Sequence, residues 1–384
     1  MAYGGEISLM ELWCKLCGKE GTPVAGILGV CRECMIRHWD EAKPFVENAR
    51  KQSREEFDLP QKKNLNGSAE NMNLVPCEEC VNQCKIPPGN MGFCAMKENR
   101  SAKLHYISGT QSQGFVDYYY DPLPTNCVAA WVCGERNRKK TQIILPSSMQ
   151  DKNLAVFYQS CTFDCLFCQN WQYRVELRTP RRLSARELAA AADPQTRCVC
   201  YFGGDPASQM GHCIAASAEI MEQTSGSVRI CWETNGSSHP RLMQKAAEIA
   251  LATGGTIKIE LKAFTPEIHY ALTGCSNAHT LENIRMLASM MKERPDPPIL
   301  CVSTLLVPGY ISRDEVRLIS RFLADCNPSI PFALLAFYPT HLFPDLPLTS
   351  RDHAQSSEEA AREQGITNIH IGNLHLLSRE DYPC

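Results

Sequence analysis

The 384-residue chain has no stretch of 18 apolar residues, no apolar leader at its N-terminus and no long basic run. A membrane span, a secretory route and the electrostatic footprint of a nucleic-acid binder therefore find no support. Formal charge is nearly balanced at −3, which singles out no strongly charged partner. Cysteine is what the chain has in excess, 21 residues gathered into close pairs and triplets. A secreted protein would use that number for disulfides. Repeated C-x2-C spacing without a leader points instead to metal binding in a reducing cytoplasm, with sensitivity to oxygen as the expected consequence.

The tightest group is Cys161, Cys165 and Cys168 in FYQSCTFDCLFCQNW. Three thiolates spaced C-x3-C-x2-C can ligate three irons of an iron-sulfur cube and leave the fourth open to a small molecule. A closed zinc site is the plainer reading, and it would borrow a fourth ligand from Cys198, Cys200 or His212. Two further groups precede it. In residues 1–40, Cys14-x2-Cys17 and Cys31-x2-Cys34 are knuckles 13 residues apart, able to face each other around one tetrahedral ion as in zinc ribbons and rubredoxins. An S4 set accepts zinc or iron, and sequence does not choose between them.

Residues 41–63 read as a charged helix and residues 64–73 as a polar linker, so 41–73 joins this knuckle to the next segment. Residues 74–149 form a cysteine-rich segment with Cys77, Cys80, Cys84 and Cys94 in PCEECVNQCKIPPGNMGFC. It holds either an auxiliary cluster that relays electrons or a structural metal staple. Cys127 and Cys133 read as buried thiols, with completion of an auxiliary site as the other reading. Tyr118 to Pro124 reads as a rigid loop beside a pocket or a domain seam.

Residues 150–384 alternate apolar strands with amphipathic helices. Strands are expected at 154–159, 198–204, 228–234, 256–261, 299–306, 332–338 and 368–372, and helices at 184–192 and 312–325. Near-continuous apolar strands about 30 residues apart argue for a parallel sheet wrapped by helices. The fold class is α/β, a partial (β/α)6 barrel, with ligands gathered at the C-terminal strand ends. Candidate site residues fall there: Gly203, Gly204, Asp205 and Pro206 after the second strand, Glu233 and Asn235 after the third, and Glu260 and Lys262 after the fourth. The two glycines are expected to let backbone carbonyls approach an ammonium group.

The cysteine triplet, with Phe167 before its last member and Gly203-Gly204-Asp205-Pro206 about 35 residues on, resembles the radical S-adenosylmethionine (SAM) superfamily, whose GGEP motif carries Glu where Asp205 stands. The stretch IELKAFTPEIHYALTGCSNAHTLENI is similar to the corresponding part of pyruvate formate-lyase activating enzymes. Glu233 and Glu260 stand where that family commonly has Asp, and Tyr338 where a His ends its sixth strand, with His341 three residues on. Val307-Pro308-Gly309-Tyr310 and residues 365–373, with Ile371 and Asn373 against an adenine ring, extend the likeness.

The resemblance implies a [4Fe-4S] cluster with SAM on its open iron, an electron donor, and hydrogen abstraction from a carbon of a protein or peptide. C-methylation and glycyl-radical activation are the two outcomes it suggests. Cobalamin, a frequent companion of methylation, lacks its common D-x-H-x-x-G motif here. No general base is identifiable, and radical transfer from carbon requires none. The non-enzymatic alternative is an interaction module built on several zinc ribbons, which would be colourless.

Overall fold

The structure, a computed structural model, describes residues 13–61, 73–123, 125, 127–134 and 151–383. Helices α1 (Arg32–Arg37) and α2 (Trp39–Glu55) come first, then hairpins β1 (Val75–Cys77) with β2 (Cys84–Ile86) and β3 (Lys97–Arg100) with β4 (Lys103–Tyr106). The main sheet contains β5 (Gly114–Pro122), β6 (Lys152–Tyr158), β7 (Arg182–Leu183), β8 (Thr196–Gly203), β9 (Arg229–Thr234), β10 (Ile257–Glu260), β11 (Leu300–Leu306), β12 (Phe332–Ala336) and β13 (Ile369–Gly372). Between its strands lie α3 (Tyr173–Glu176), α4 (Ala185–Ala189), α5 (Met210–Gln223), α6 (Pro240–Thr253), α7 (Pro266–Thr273), α8 (Ala278–Met290), α9 (Arg313–Cys326) and α10 (Arg351–Glu363).

Strand order is β13-β12-β11-β10-β9-β8-β6-β5-β7. Seven strands, β6 and β8 through β13, pair in parallel, and each coincides with an expected apolar run. β11 is buried at every residue, as a strand covered on both faces must be. Local signals agree with the fold. Ser184 and Glu187 form the expected capping box on α4, and Ser312 caps α9 by accepting from the Glu315 amide.

Two expectations are corrected. Tyr118 to Pro122 is not a loop but the latter part of β5, antiparallel to β6 from Val116↔Tyr158 to Pro122↔Lys152. Three consecutive tyrosines favour a pleated surface, and the proline sits at the strand's last residue, where a missing amide costs little. Pro124 lies outside the described residues. The helix expected over 41–63 ends at Glu55; Asp58 takes a left-handed φ of 55° and Leu59 precedes Pro60, both incompatible with continuation. Most of the expected linker, and the end of that helix, fall outside the described residues.

The N-terminal knuckle docks on the barrel through the Val307-Pro308-Gly309-Tyr310 turn. The Ala25 amide donates to the Tyr310 hydroxyl at 2.9 Å, Gly26 N–H to Asp345 at 2.6 Å, and Arg32 pairs with the buried Glu315 at 3.2 Å. Gly309 has φ +77°, and a Cβ there would lie 2.0 Å from the Pro23 carbonyl oxygen. Gly309→Ala is therefore expected to destabilise this junction by roughly 2 kcal/mol or more. Limited proteolysis checks it: cleavage between residues 13 and 31 should accelerate in the variant.

Candidate active site

β6 ends at Tyr158, and the loop after it carries Cys161, Cys165 and Cys168 onto the wall of a cavity of about 170 Å³ at the C-terminal ends of the strands. Gly203, Gly204, Asp205, Glu233, Asn235, Glu260, Lys262 and Asn373 line the same cavity. Pro206 is buried behind it as the first residue of a 3-10 turn. Tyr338 is 52 % exposed and, like Ile371, lies off the cavity wall. Aromatic and apolar walls not expected from the sequence are Phe163, Phe202, Tyr173, Leu305 and Leu335. The available signal for Phe202 was the alternation Cys198, Cys200, Phe202 along one face of β8.

The glycine pair also permits a close approach within the protein. A Cβ on Gly204 would lie 2.3 Å from the Ser160 carbonyl oxygen, and one on Gly203, at φ +99°, would lie 2.7 Å from the Tyr158 amide nitrogen. The side chains are absent because β8 must press against the protein's own cysteine loop. The Gly204 and Asp205 amides then donate to the Tyr158 and Ser160 carbonyls at 2.8 and 2.7 Å.

Asp205 is buried and fully engaged. It accepts from the Asn235 amide at 2.6 Å, the Ala207 amide at 2.7 Å and the Thr234 hydroxyl at 2.9 Å. Burial raises its pKa to about 6, with these bonds pulling the other way. Asn235 donates to Thr162 at 2.9 Å and toward Cys161 Sγ at 3.8 Å, which ties the third strand end to the cysteine loop. Glu260 and Lys262 pair at 2.5 Å. Burial alone would lower the Lys262 pKa, but Glu260 and the Cys165 and Cys168 sulfurs raise it, so the ammonium stays charged. Burial pushes the Cys165 thiol up to about 12, against the pull of Lys262.

The cysteine loop is braced from behind. Asp164, between the first two cysteines, has no exposed surface and meets three guanidiniums: Arg174 at 3.0 Å, Arg50 at 3.5 Å and Arg54 at 3.6 Å. Ser53 donates to it at 3.2 Å, and Arg50 also reaches the Asp164 and Ala271 carbonyls. Arg50, Ser53 and Arg54 all come from α2, so the N-terminal helix fixes the loop.

Cys77, Cys84, Ile86, Phe93, Phe163 and Cys275 share one apolar cluster, with Cys161 and Cys165 packed against it. The cysteine-rich segment is stitched to the site by Asn82 donating to the Thr162 carbonyl at 2.7 Å and Val81 N–H to the Ser237 carbonyl at 2.9 Å. Lys97, buried, pairs with Glu79 at 2.6 Å and donates to the Ser208 carbonyl at 2.8 Å.

Apart from this, Cys14, Cys17, Cys31 and Cys34 bring their sulfurs within 4.8 Å of one another. Cys14 to Cys34 is 3.7 Å and Cys17 to Cys31 is 3.9 Å. Tetrahedral thiolates on a zinc ion lie about 3.8 Å apart, given Zn–S near 2.3 Å, so one such ion fits. Cys31 stands at the N-terminus of α1 and Cys34 within it, so the second knuckle is a helix start rather than a ribbon turn. Burial would raise Cys14, but backbone amides led by Cys17 and Cys31 bring its pKa to about 7, close to the thiolate a metal needs. No other group of three or more ligand atoms is this close among the described residues. No helix among them is long and apolar enough to cross a membrane.

Residues 155–323 match the Radical SAM superfamily. An uncharacterized protein of Methanocaldococcus jannaschii is 23 % identical over 321 residues, 81 % of this chain and 85 % of that one. The isethionate sulfite-lyase activating enzyme of Desulfovibrio desulfuricans is 30 % identical over 137 residues, 35 % of this chain and 40 % of that enzyme, so the likeness spans less than half of either. Among solved structures, a domain of pyruvate-formate lyase-activating enzyme from Bacteroides vulgatus aligns with 18 % identity and a TM-score of 0.35, covering 46 % of this chain and 98 % of that domain.

Proposed function

We propose, from the premise that this chain carries a radical SAM domain over residues 155–323, that the cavity binds SAM beside a [4Fe-4S] cluster and that the enzyme abstracts hydrogen from a carbon of a protein or peptide. The observation that carries this is the donor set: three thiols on one cavity wall, faced by Asp205, Asn235, Glu260 and Lys262 rather than by a fourth cysteine. When bound, the cluster supplies one electron to cleave SAM to a 5'-deoxyadenosyl radical. Cys161, Cys165 and Cys168 would hold it.

Lys262 is placed to meet the SAM carboxylate, Glu260 holding the ammonium in position, and Glu233 to meet the ribose or the amino group. Asp205, already engaged, positions Asn235 and the third strand end. Phe163 and Tyr173 limit water beside the cysteines. Cys77, Cys80, Cys84 and Cys94 are the candidate auxiliary cluster, next to the site through Phe163, and Cys14, Cys17, Cys31 and Cys34 hold a single zinc or iron ion that stiffens the docked N-terminus.

We favour covalent modification of the target polypeptide, C-methylation being one form. The second reading, activation of a glycyl-radical enzyme, is favoured by the 137-residue likeness to an activating enzyme. Anaerobically reconstituted protein should absorb broadly near 400 nm, as iron-sulfur charge transfer does, and release 5'-deoxyadenosine on reduction with SAM. Colourless protein that leaves SAM intact would favour the zinc-ribbon module. Comparing target-protein masses between wild-type and deletion strains separates a stable mass change from the backbone cleavage a quenched glycyl radical leaves. Lys262→Met should raise the KM for SAM about 10- to 100-fold, the worth of one charge-assisted hydrogen bond, with iron content unchanged. Steady-state 5'-deoxyadenosine release measures it.

A further inference from the structure

Below the SAM cavity, on the N-terminal side of the strands, the barrel interior is not filled by branched side chains as such interiors usually are. It contains a second cavity of about 280 Å³, which shares Phe202 and Glu233 with the first. Five cysteines line it. Cys198 and Cys200 lie two residues apart on one face of β8, and Cys231 on β9 is the register partner of Cys200. Cys127 and Cys133 follow β5 and line the cavity with Thr125 and Ala130. Ala129 and Val132, between these cysteines, pack on Cys301 of β11, and Trp131 stacks on His370 of β13 at 5.3 Å.

Lys258, 2 % exposed on β10, points its ammonium among these sulfurs. It donates to Cys200 Sγ at 3.0 Å and Cys127 Sγ at 3.3 Å and pairs with Glu233 at 3.2 Å. Cysteine as a small apolar filler explains neither feature, since fillers pack into a closed core and do not collect a buried cation. Cys127, Cys133, Cys198 and Cys231 retain partial exposure toward the space. The spread of the sulfurs also selects the occupant. A single thiophilic ion needs thiolates about 3.8 Å apart, and among the described residues only the Cys14 group is so close. Side chains two residues apart on a strand stand about 6.6 Å apart, the span of a cluster rather than of an ion.

We propose that this cavity holds an iron-sulfur cluster ligated by four of the thiolates of Cys127, Cys133, Cys198, Cys200 and Cys231, with Lys258 donating hydrogen bonds to the ligating sulfur. It is separate from both the Cys161 and the Cys77 groups and does not depend on the SAM reading. The full-length protein, reconstituted anaerobically with iron and sulfide, tests it. Cys198→Ala/Cys200→Ala/Cys231→Ala, which leaves two of the five thiols, should lose ~4 irons per chain relative to wild type while the far-ultraviolet circular dichroism stays that of wild type.

A second variant with Cys161, Cys165, Cys168, Cys77, Cys80 and Cys84 all changed to Ala should keep iron-sulfur absorbance together with acid-labile sulfide, which a single iron on the Cys14 group would not supply. Lys258→Met should keep the iron but lower the cluster's midpoint potential, because the lost cation favoured the reduced, more negative state. An unchanged iron count in the triple variant would overturn the proposal, as would a six-fold variant that has wild-type far-ultraviolet circular dichroism and no acid-labile sulfide.

Discussion

Cys165→Ala is expected to abolish SAM cleavage, lowering 5'-deoxyadenosine release by roughly 10³-fold or more, to the level of protein without reconstituted cluster. Cys165 is the central member of the triplet, and its neighbours in space are Phe163, Lys262 and the apolar cluster around Cys77. With two thiolates the cube loses a corner and its hold on the loop. Iron content should fall by ~4 per chain, since a cluster held at two corners is not retained. Cleavage retained at wild-type rate would show that the ligand set lies elsewhere, and the whole reading of the 170 Å³ cavity would go with it.

The barrel was legible because its strands are near-continuous apolar runs with polar helices between, a pattern few other folds produce. Each site residue that lines the cavity sits at a strand end or in the loop just after one, so locating the strands located the site. What was illegible involves partners remote in sequence. Gly203-Gly204 reads as a ligand cradle, yet the space a side chain would fill is taken by the Ser160 and Tyr158 backbone, about 45 residues earlier.

The helix over 41–63 reads only as charged, because nothing in its own sequence announces that Arg50 and Arg54 will be buried against Asp164. Val307-Pro308-Gly309-Tyr310 reads as a feature of the barrel, and its partner is the N-terminal knuckle. Cys198 and Cys200 read as spare ligands for the Cys161 triplet until the parallel register sets them beside Cys231 around a cavity of their own.

The other large effect is expected at Asp164, which is not on the wall of the 170 Å³ cavity. Burial would raise its carboxyl pKa, but Arg174, Arg54 and Arg50 more than offset that and hold it below the usual carboxylate range. Asp164→Ala leaves three buried guanidiniums without their shared counter-charge, which costs about 3–5 kcal/mol and a fall in melting temperature of roughly 4–6 °C. Asp164→Asn keeps the shape and isolates the charge.

A depressed acid pKa stabilises the fold above the unfolded value of about 4, and that contribution is lost as pH falls through the lower folded value. Wild type should therefore lose stability more steeply than Asp164→Asn below about pH 4, and the two curves should run parallel above about pH 5. Chemical denaturation across this range gives both slopes. Because Asp164 lies between Cys161 and Cys165, both variants should also release iron to a chelator faster than wild type at neutral pH. Equal release rates with a reduced melting temperature would mean that the arginine cluster supports the fold without bracing the cysteine loop.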